Sequence, residues 1–174
     1  MVAHAPSAAL SRAAEELPAV ARALLAATLV ALYARAFVVA AAVVPTPSMA
    51  PALLAGDRVL VDRMLYATGL PEPFAALLPA RAARRGDVVW LRSPLDSRVT
   101  LVKRVAALAG ESFAGEPVPT AHFAVLGDRR EESFDSRRFG PVADGALGGR
   151  VILVLWSADA DGRWRRDRWL FPVR

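Results

Sequence analysis

Two side chains far apart in the chain, Ser48 and Lys103, are of the types that together hydrolyse a bond without histidine. Ser48 closes an apolar run inside the proline-braced turn Pro45-Thr46-Pro47-Ser48-Met49. Lys103 lies in Thr100-Leu101-Val102-Lys103-Arg104-Val105, a strand-like segment where a charged amine is poorly solvated. An amine kept neutral by apolar surroundings can accept the proton of a serine hydroxyl. Lys103 is the only lysine among 22 basic residues, and arginine cannot replace it as a base because arginine stays protonated. Each residue also has a plainer reading: a serine after proline as turn chemistry, a lysine on a strand edge as a snorkelling surface group.

Thr46 lies two residues before Ser48, close enough to set a hydroxyl beside it. A hydroxyl and a backbone N–H converging on one point make an oxyanion hole. A third cluster spans residues 127–140, Gly127-Asp128-Arg129-Arg130-Glu131-Glu132-Ser133-Phe134-Asp135-Ser136-Arg137-Arg138-Phe139-Gly140. Glu131, Glu132, Arg129 and Arg130 read as a solvated loop. Alternation puts Ser133, Asp135 and Arg137 on one face, where an acid-arginine pair could brace the loop and offer the serine hydroxyl to an amine.

The elements that must position these groups follow from patterning. Alternation over 99–108 sets Leu101, Lys103, Val105 and Ala107 on one face and turns Arg104 outward, as an exposed charge. Strands are expected at 57–63, 87–92, 99–108, 122–126 and 151–156, between Gly, Pro and Asp turns. Residues 69–85 carry three prolines and read as a loop with a helical turn near 74–78. Ahead of this lie a polar tail, 1–16, and a twenty-residue segment, 17–36, whose only charges are Arg22 and Arg35. The uncharged run between those arginines is twelve residues, short of the ~20 that span a bilayer, but both arginines can snorkel. The segment reads as a single transmembrane helix. A buried core helix and a cleavable signal ending near Ala40-Ala41-Ala42 are the alternatives, and cleavage there would leave Ser48 almost at the new N-terminus.

The 174 residues thus divide into a tail, 1–16, a membrane helix, 17–36, and a compact antiparallel β catalytic domain, 37–174; the fold class is mostly β. A hydrophobic fraction of 55% exceeds the ~45–50% of soluble domains, the excess being alanine near the N-terminus. The absence of cysteine excludes disulfides, thiolate catalysis and cysteine metal sites. His4 and His122 are far apart without ligand spacing, so neither a metal nor a cofactor is implied; His122 leaves a Ser-His-Asp site open only on paper. A net charge of +5 suits anionic lipid or nucleic acid, and composition does not choose between them.

Taken together the segments resemble the bacterial type I signal peptidases, a serine-lysine peptidase family. Ser48-Met49-Ala50-Pro51-Ala52-Leu53, Arg85-Gly86-Asp87-Val88-Val89-Trp90, Lys103-Arg104-Val105-Ala106-Ala107-Leu108-Ala109-Gly110-Glu111 and Gly127-Asp128 through Gly140 match the family's four boxes in order. The resemblance implies Ser48 as nucleophile and Lys103 as general base, with Thr46 and the Ser48 amide meeting the oxyanion. It implies that Ser133 orients the amine, that Asp135 and Arg137 hold its loop, and that Val44, Met49, Leu53, Leu101 and Val102 shape small substrate pockets. It implies removal of signal peptides from exported preproteins after Ala-X-Ala, at a bacterial inner membrane. The catalytic domain would be extracytoplasmic, with the export machinery as a further partner and no nucleic acid. Arg35-Ala36-Phe37 would mark the helix exit, with 37–44 extended at the membrane surface. Ala109 and Arg129 depart from the usual proline and asparagine, and the short interval from Gly110 to Gly127 marks a minimal version. Two rivals stand: a pilin-maturing peptidase of conjugative transfer, and a non-catalytic membrane-tethered basic protein binding through 163–169. The Arg/Trp alternation there also fits an amphipathic strand.

Overall fold

The computed structural model describes residues 7–33, 38–66, 81–159 and 161–173. It divides the chain into two compact units, Met1–Ala36 and Phe37–Arg174. In the first, helix α1 runs Ser7–Tyr33. Alanine, the best helix former, recurs through its first turns, so the helix begins well inside the segment read as a tail. Among the described residues no helix is long and apolar enough to cross a membrane, so the span expected over 17–36 is not found. Val20, Leu24, Leu25, Leu29, Val30 and Leu32 are all exposed. The expected exit at Arg35-Ala36-Phe37 and the helical turn at 74–78 lie outside the described residues.

The second unit is antiparallel β. Its strands are β1 (Val39–Val43), β2 (Asp57–Asp62), β3 (Val88–Arg92), β4 (Thr100–Leu108), β5 (Ser112–Phe113), β6 (Glu116–Pro117), β7 (His122–Leu126), β8 (Val142–Ala143), β9 (Leu147–Ser157) and β10 (Phe171–Pro172). A single-turn helix, α2, spans Ser136–Phe139. The main sheet has the order β1-β2-β9-β3-β4-β7-β8, with β10 on β9, while β5 and β6 form a separate hairpin. Four expected strands appear with ends shifted by at most a residue. The fifth, expected at 151–156, starts at Leu147. Glycine conceals that start from strand propensity, and packing requires the glycine: a Cβ on Gly148 would strike the Trp90 ring.

Both faces of the sheet are covered. Val59, Val61, Val88 and Val102 share one core with Val44, Met49 and Leu53. Val89, Leu91 and Val105 share another with Phe123, Val125 and Val142. A strand between two apolar layers loses its exposed face, which is why β4 buries Val102 as well as Lys103, Val105 and Ala107.

The C-terminal segment is not the amphipathic strand expected over 163–169. Trp164 forms a single bridge with Ala158, residues Arg166–Arg168 make a 3-10 turn, and only Phe171–Pro172 pairs as a strand. Arg165 and Arg168 turn inward onto protein acceptors. That engagement leaves the rival reading, a basic tail free to bind lipid or nucleic acid, without two of its cations.

Candidate active site

Ser48 sits in a 3-10 turn, Pro47–Met49, immediately after the extended Thr46. Proline at the first position fixes φ for that turn, and the fully buried Met49 and Leu53 anchor it to the core. Lys103 arrives from β4, where it pairs with Val89 of β3. The β4–β7 ladder begins at Arg104 opposite Leu126, so Gly127, the next residue after β7, emerges beside Lys103. That register delivers the loop 127–137 to the amine.

The three segments converge. Lys103 Nζ lies 2.8 Å from Ser48 Oγ and 3.1 Å from Ser133 Oγ. Thr46 Oγ1 lies 3.2 Å from Ser48 Oγ. Ser48, Lys103 and Ser133 are all buried. Burial pushes the Lys103 amine below the ordinary lysine range; Asp135 opposes this and Arg137 assists it.

The loop is held by its acid. Asp135 is fully buried and takes the Gly127 N–H at 3.0 Å and the Arg137 guanidinium at 2.8 and 3.0 Å. It also caps α2 through the Arg137 N–H. Burial alone would raise its pKa, but Arg137, Gly127 and the Ser133 hydroxyl hold the carboxyl well below the usual carboxylate range. A serine that donates to Asp135 has lone pairs left to accept a Lys103 N–H.

A cavity of about 140 Å³ opens beside Ser48, lined by Val44, Pro45, Thr46, Leu101, Val102 and Lys103 among others. Met49 and Leu53, also expected to shape it, are not among its lining residues and are fully buried in the core that also holds Val44 and Val102. His122 lines a different cavity, with Tyr66 and Arg81, and its Nδ1 lies 2.9 Å from the Thr120 carbonyl, so it takes no part in the Ser48 site.

Three features were not legible as roles in the sequence. Arg104, expected as an exposed charge, forks onto Asp128 at 2.8 Å through both Nε and Nη2. Gly127 is the second: a Cβ there would collide with Ser133 Oγ and crowd the Ser48 carbonyl. The third is a pair of buried acids. Asp57 is bound by Arg168, and Asp87 by Arg81, the Tyr66 hydroxyl and the Arg84 N–H. A signal for them existed: Gly56-Asp57, Gly86-Asp87 and Gly127-Asp128 repeat one dipeptide at the ends of strands.

Comparison with known proteins agrees with this architecture. The family described as signal peptidase, peptidase S26, matches residues 17–116 and 111–156. The chain belongs to the S26 signal peptidase family. It is 32% identical over 132 residues to mitochondrial ATP-independent inner membrane protease subunit 1a of Arabidopsis thaliana, covering 68% of this chain and 71% of that one. It is 31% identical to mitochondrial inner membrane protease subunit 1 of Mus musculus, with 63% and 65% covered. Subunit 2 of Schizosaccharomyces pombe is 39% identical over 88 residues, with 46% and 49% covered. The resemblance to bacterial type I enzymes therefore stands at the level of the S26 family, whose relatives here are named for mitochondria. The chain spans between about half and about seven tenths of the length of these relatives.

Proposed function

We propose that this S26 protein is a membrane-associated serine endopeptidase that removes N-terminal signal peptides from translocated precursor proteins, with Ser48 as nucleophile and Lys103 as general base. The observation that carries this reading is the 2.8 Å separation of Lys103 Nζ from Ser48 Oγ in a buried site that depresses the amine pKa.

Ser48 Oγ attacks the scissile carbonyl carbon as its proton passes to neutral Lys103 Nζ. The resulting oxyanion is met by the Ser48 N–H and the Thr46 hydroxyl. Lys103 gives the proton to the leaving amine, then takes one from the water that attacks the acyl carbon, and returns it to Ser48 Oγ as the acyl–oxygen bond breaks. Ser133 and Asp135 fix the direction of the amine lone pair throughout. Because the β4–β7 ladder starts at Arg104, residues 100–102 can accept an extended peptide as an added strand beside the small cavity. Walls of Val44, Leu101 and Val102 then favour alanine-sized side chains by volume. The exposed apolar face of α1, Val20 to Leu32, suits contact with lipid, in keeping with the inner-membrane names of the relatives.

The test is cleavage of a precursor bearing Ala-X-Ala before its cut site by wild type, Ser48→Ala and Lys103→Ala in detergent and lipid. Loss of cleavage in both variants is expected. Cleavage surviving either substitution would remove that residue from the mechanism.

A further inference from the structure

The Ser48 turn is held from two sides. Inside, Met49 and Leu53 are fully buried. Outside, the C-terminal segment lies across residues 52–57, more than a hundred positions away in sequence. Arg168 Nη2 donates to the Ala52 carbonyl at 2.9 Å and to Asp57 Oδ2 at 2.6 Å, and its Nε donates to Asp57 Oδ1 at 3.2 Å. Arg165 Nη1 reaches the Ala55 carbonyl at 3.1 Å. Asp57 is fully buried and accepts the Leu54 N–H at 2.8 Å, so a single carboxylate ties the turn to itself and to Arg168. Val173, just beyond, packs into the same core as Met49 and Leu53. The chain leaves no room to shift there: a Cβ on Gly56 would strike the Ala158 carbonyl.

We propose that Arg168 is a positioning residue for Ser48, clamping the turn that carries the serine and so setting its distance from Lys103. Asp57 and the Ala52 carbonyl lie within the nine residues that follow Ser48, and the guanidinium fork spans both. Asp57 opens β2, so the fork ties the turn, at the Ala52 carbonyl, to the first residue of the sheet. The Ser48–Lys103 contact is made between two segments with no shared ladder, so its length depends on what holds each segment. β4 is held by its neighbours; the turn is held by Met49 and Leu53 within the core, by the Arg129 N–H on the Ser48 carbonyl and, at its far end, by Arg168. The inference rests on the peptidase reading for its kinetic arm alone.

Lys103, as the only lysine, provides a direct readout, because 13C-lysine labelling yields one side-chain signal from the active site. In Arg168→Gln that signal and its titration are expected to move toward those of Ser48→Ala, with Arg168→Lys between the two. On an Ala-X-Ala precursor, kcat is expected to fall about 10- to 100-fold with KM within about twofold. Should Arg168→Gln not fold, Asp57→Asn/Arg168→Gln removes both charges of the pair together and is read in the same way. A folded variant whose Lys103 signal stays at its wild-type position overturns the inference, whatever the melting temperature does. The lysine signal needs no turnover, so it decides the inference even where the wild type leaves the precursor uncut; an uncut precursor counts against the peptidase reading alone.

Discussion

The backbone N–H of Arg129 donates to the carbonyl of Ser48 at 3.0 Å. The nucleophile turn and the loop that carries Ser133 are therefore joined through main chain as well as through the Lys103 amine. Two hydrogen-bonded links between segments distant in sequence make the site sensitive to any atom placed between them, and Gly127 stands at that point.

Gly127→Ala should lower kcat on an Ala-X-Ala precursor by about 100-fold, the scale of roughly 1 Å misplacement at a reacting centre. The added methyl group meets Ser133 Oγ and the Ser48 carbonyl, which must move apart. Circular dichroism and melting should report a folded protein, and steady-state kinetics should place the loss in kcat.

Activity should rise with pH along a single titration whose midpoint lies below lysine's ordinary value of about 10.4. The sign follows from the mechanism: the base works only when neutral, and burial lowers the Lys103 pKa. Stability should rise over the window between that lowered value and the ordinary one, since the unfolded chain there binds the extra proton. Lys103→Met should abolish both dependences, and a pH series of kcat/KM with parallel urea titrations measures them.

Thr46→Val should cost about 10²- to 10³-fold in kcat, the usual effect of removing one oxyanion donor, while Thr46→Ser should retain most of the rate. The pair of variants isolates the hydroxyl, because Thr46 Oγ1 already lies 3.2 Å from Ser48 Oγ. Equal rates for the two would exclude the threonine from the oxyanion site.

Asp87→Asn should destabilise the β unit by about 2–4 kcal/mol, since it removes the charge of a buried carboxylate on which several donors converge. Those donors are Arg81 at 2.8 and 2.9 Å, Tyr66 Oη at 2.9 Å and the Arg84 N–H at 2.9 Å. Burial pushes the Asp87 pKa up, but Arg81, the Arg84 N–H and Tyr66 outweigh it and hold the carboxyl below its ordinary range. Its contribution is thus present above about pH 4 and is lost as pH falls through the lowered value. Wild type and variant melting curves should converge in acid.

The groups that meet at the candidate site were legible in the chain because they are marked by residue type: a lone lysine in an apolar strand, a serine in a proline-braced turn, a serine-acid-arginine alternation. The strands were legible for the same local reason, each being a short β-branched run between turn residues. Gly148 and Gly149 hid the start of β9, since strand propensity registers glycine as a break while the sheet used it to admit Trp90 and the Asp62 carbonyl.

Helix α1 shows the limit in the other direction. Hydropathy between two arginines suggested a span over 17–36, yet the helix begins at Ser7, and among the described residues no helix is long and apolar enough to cross a membrane.

What the sequence determined by itself was the set of groups and the strands that bear them, because side-chain chemistry and period-two burial are local properties. What only the tertiary structure decided was distance: Lys103 to Ser48 across 55 residues, Arg104 to Asp128, and Arg168 to Asp57 across 111. Those contacts depend on ladder register and on which buried charge finds which partner. Both are set when the sheet closes around two cores, where a buried ion left unpaired would be too costly to keep.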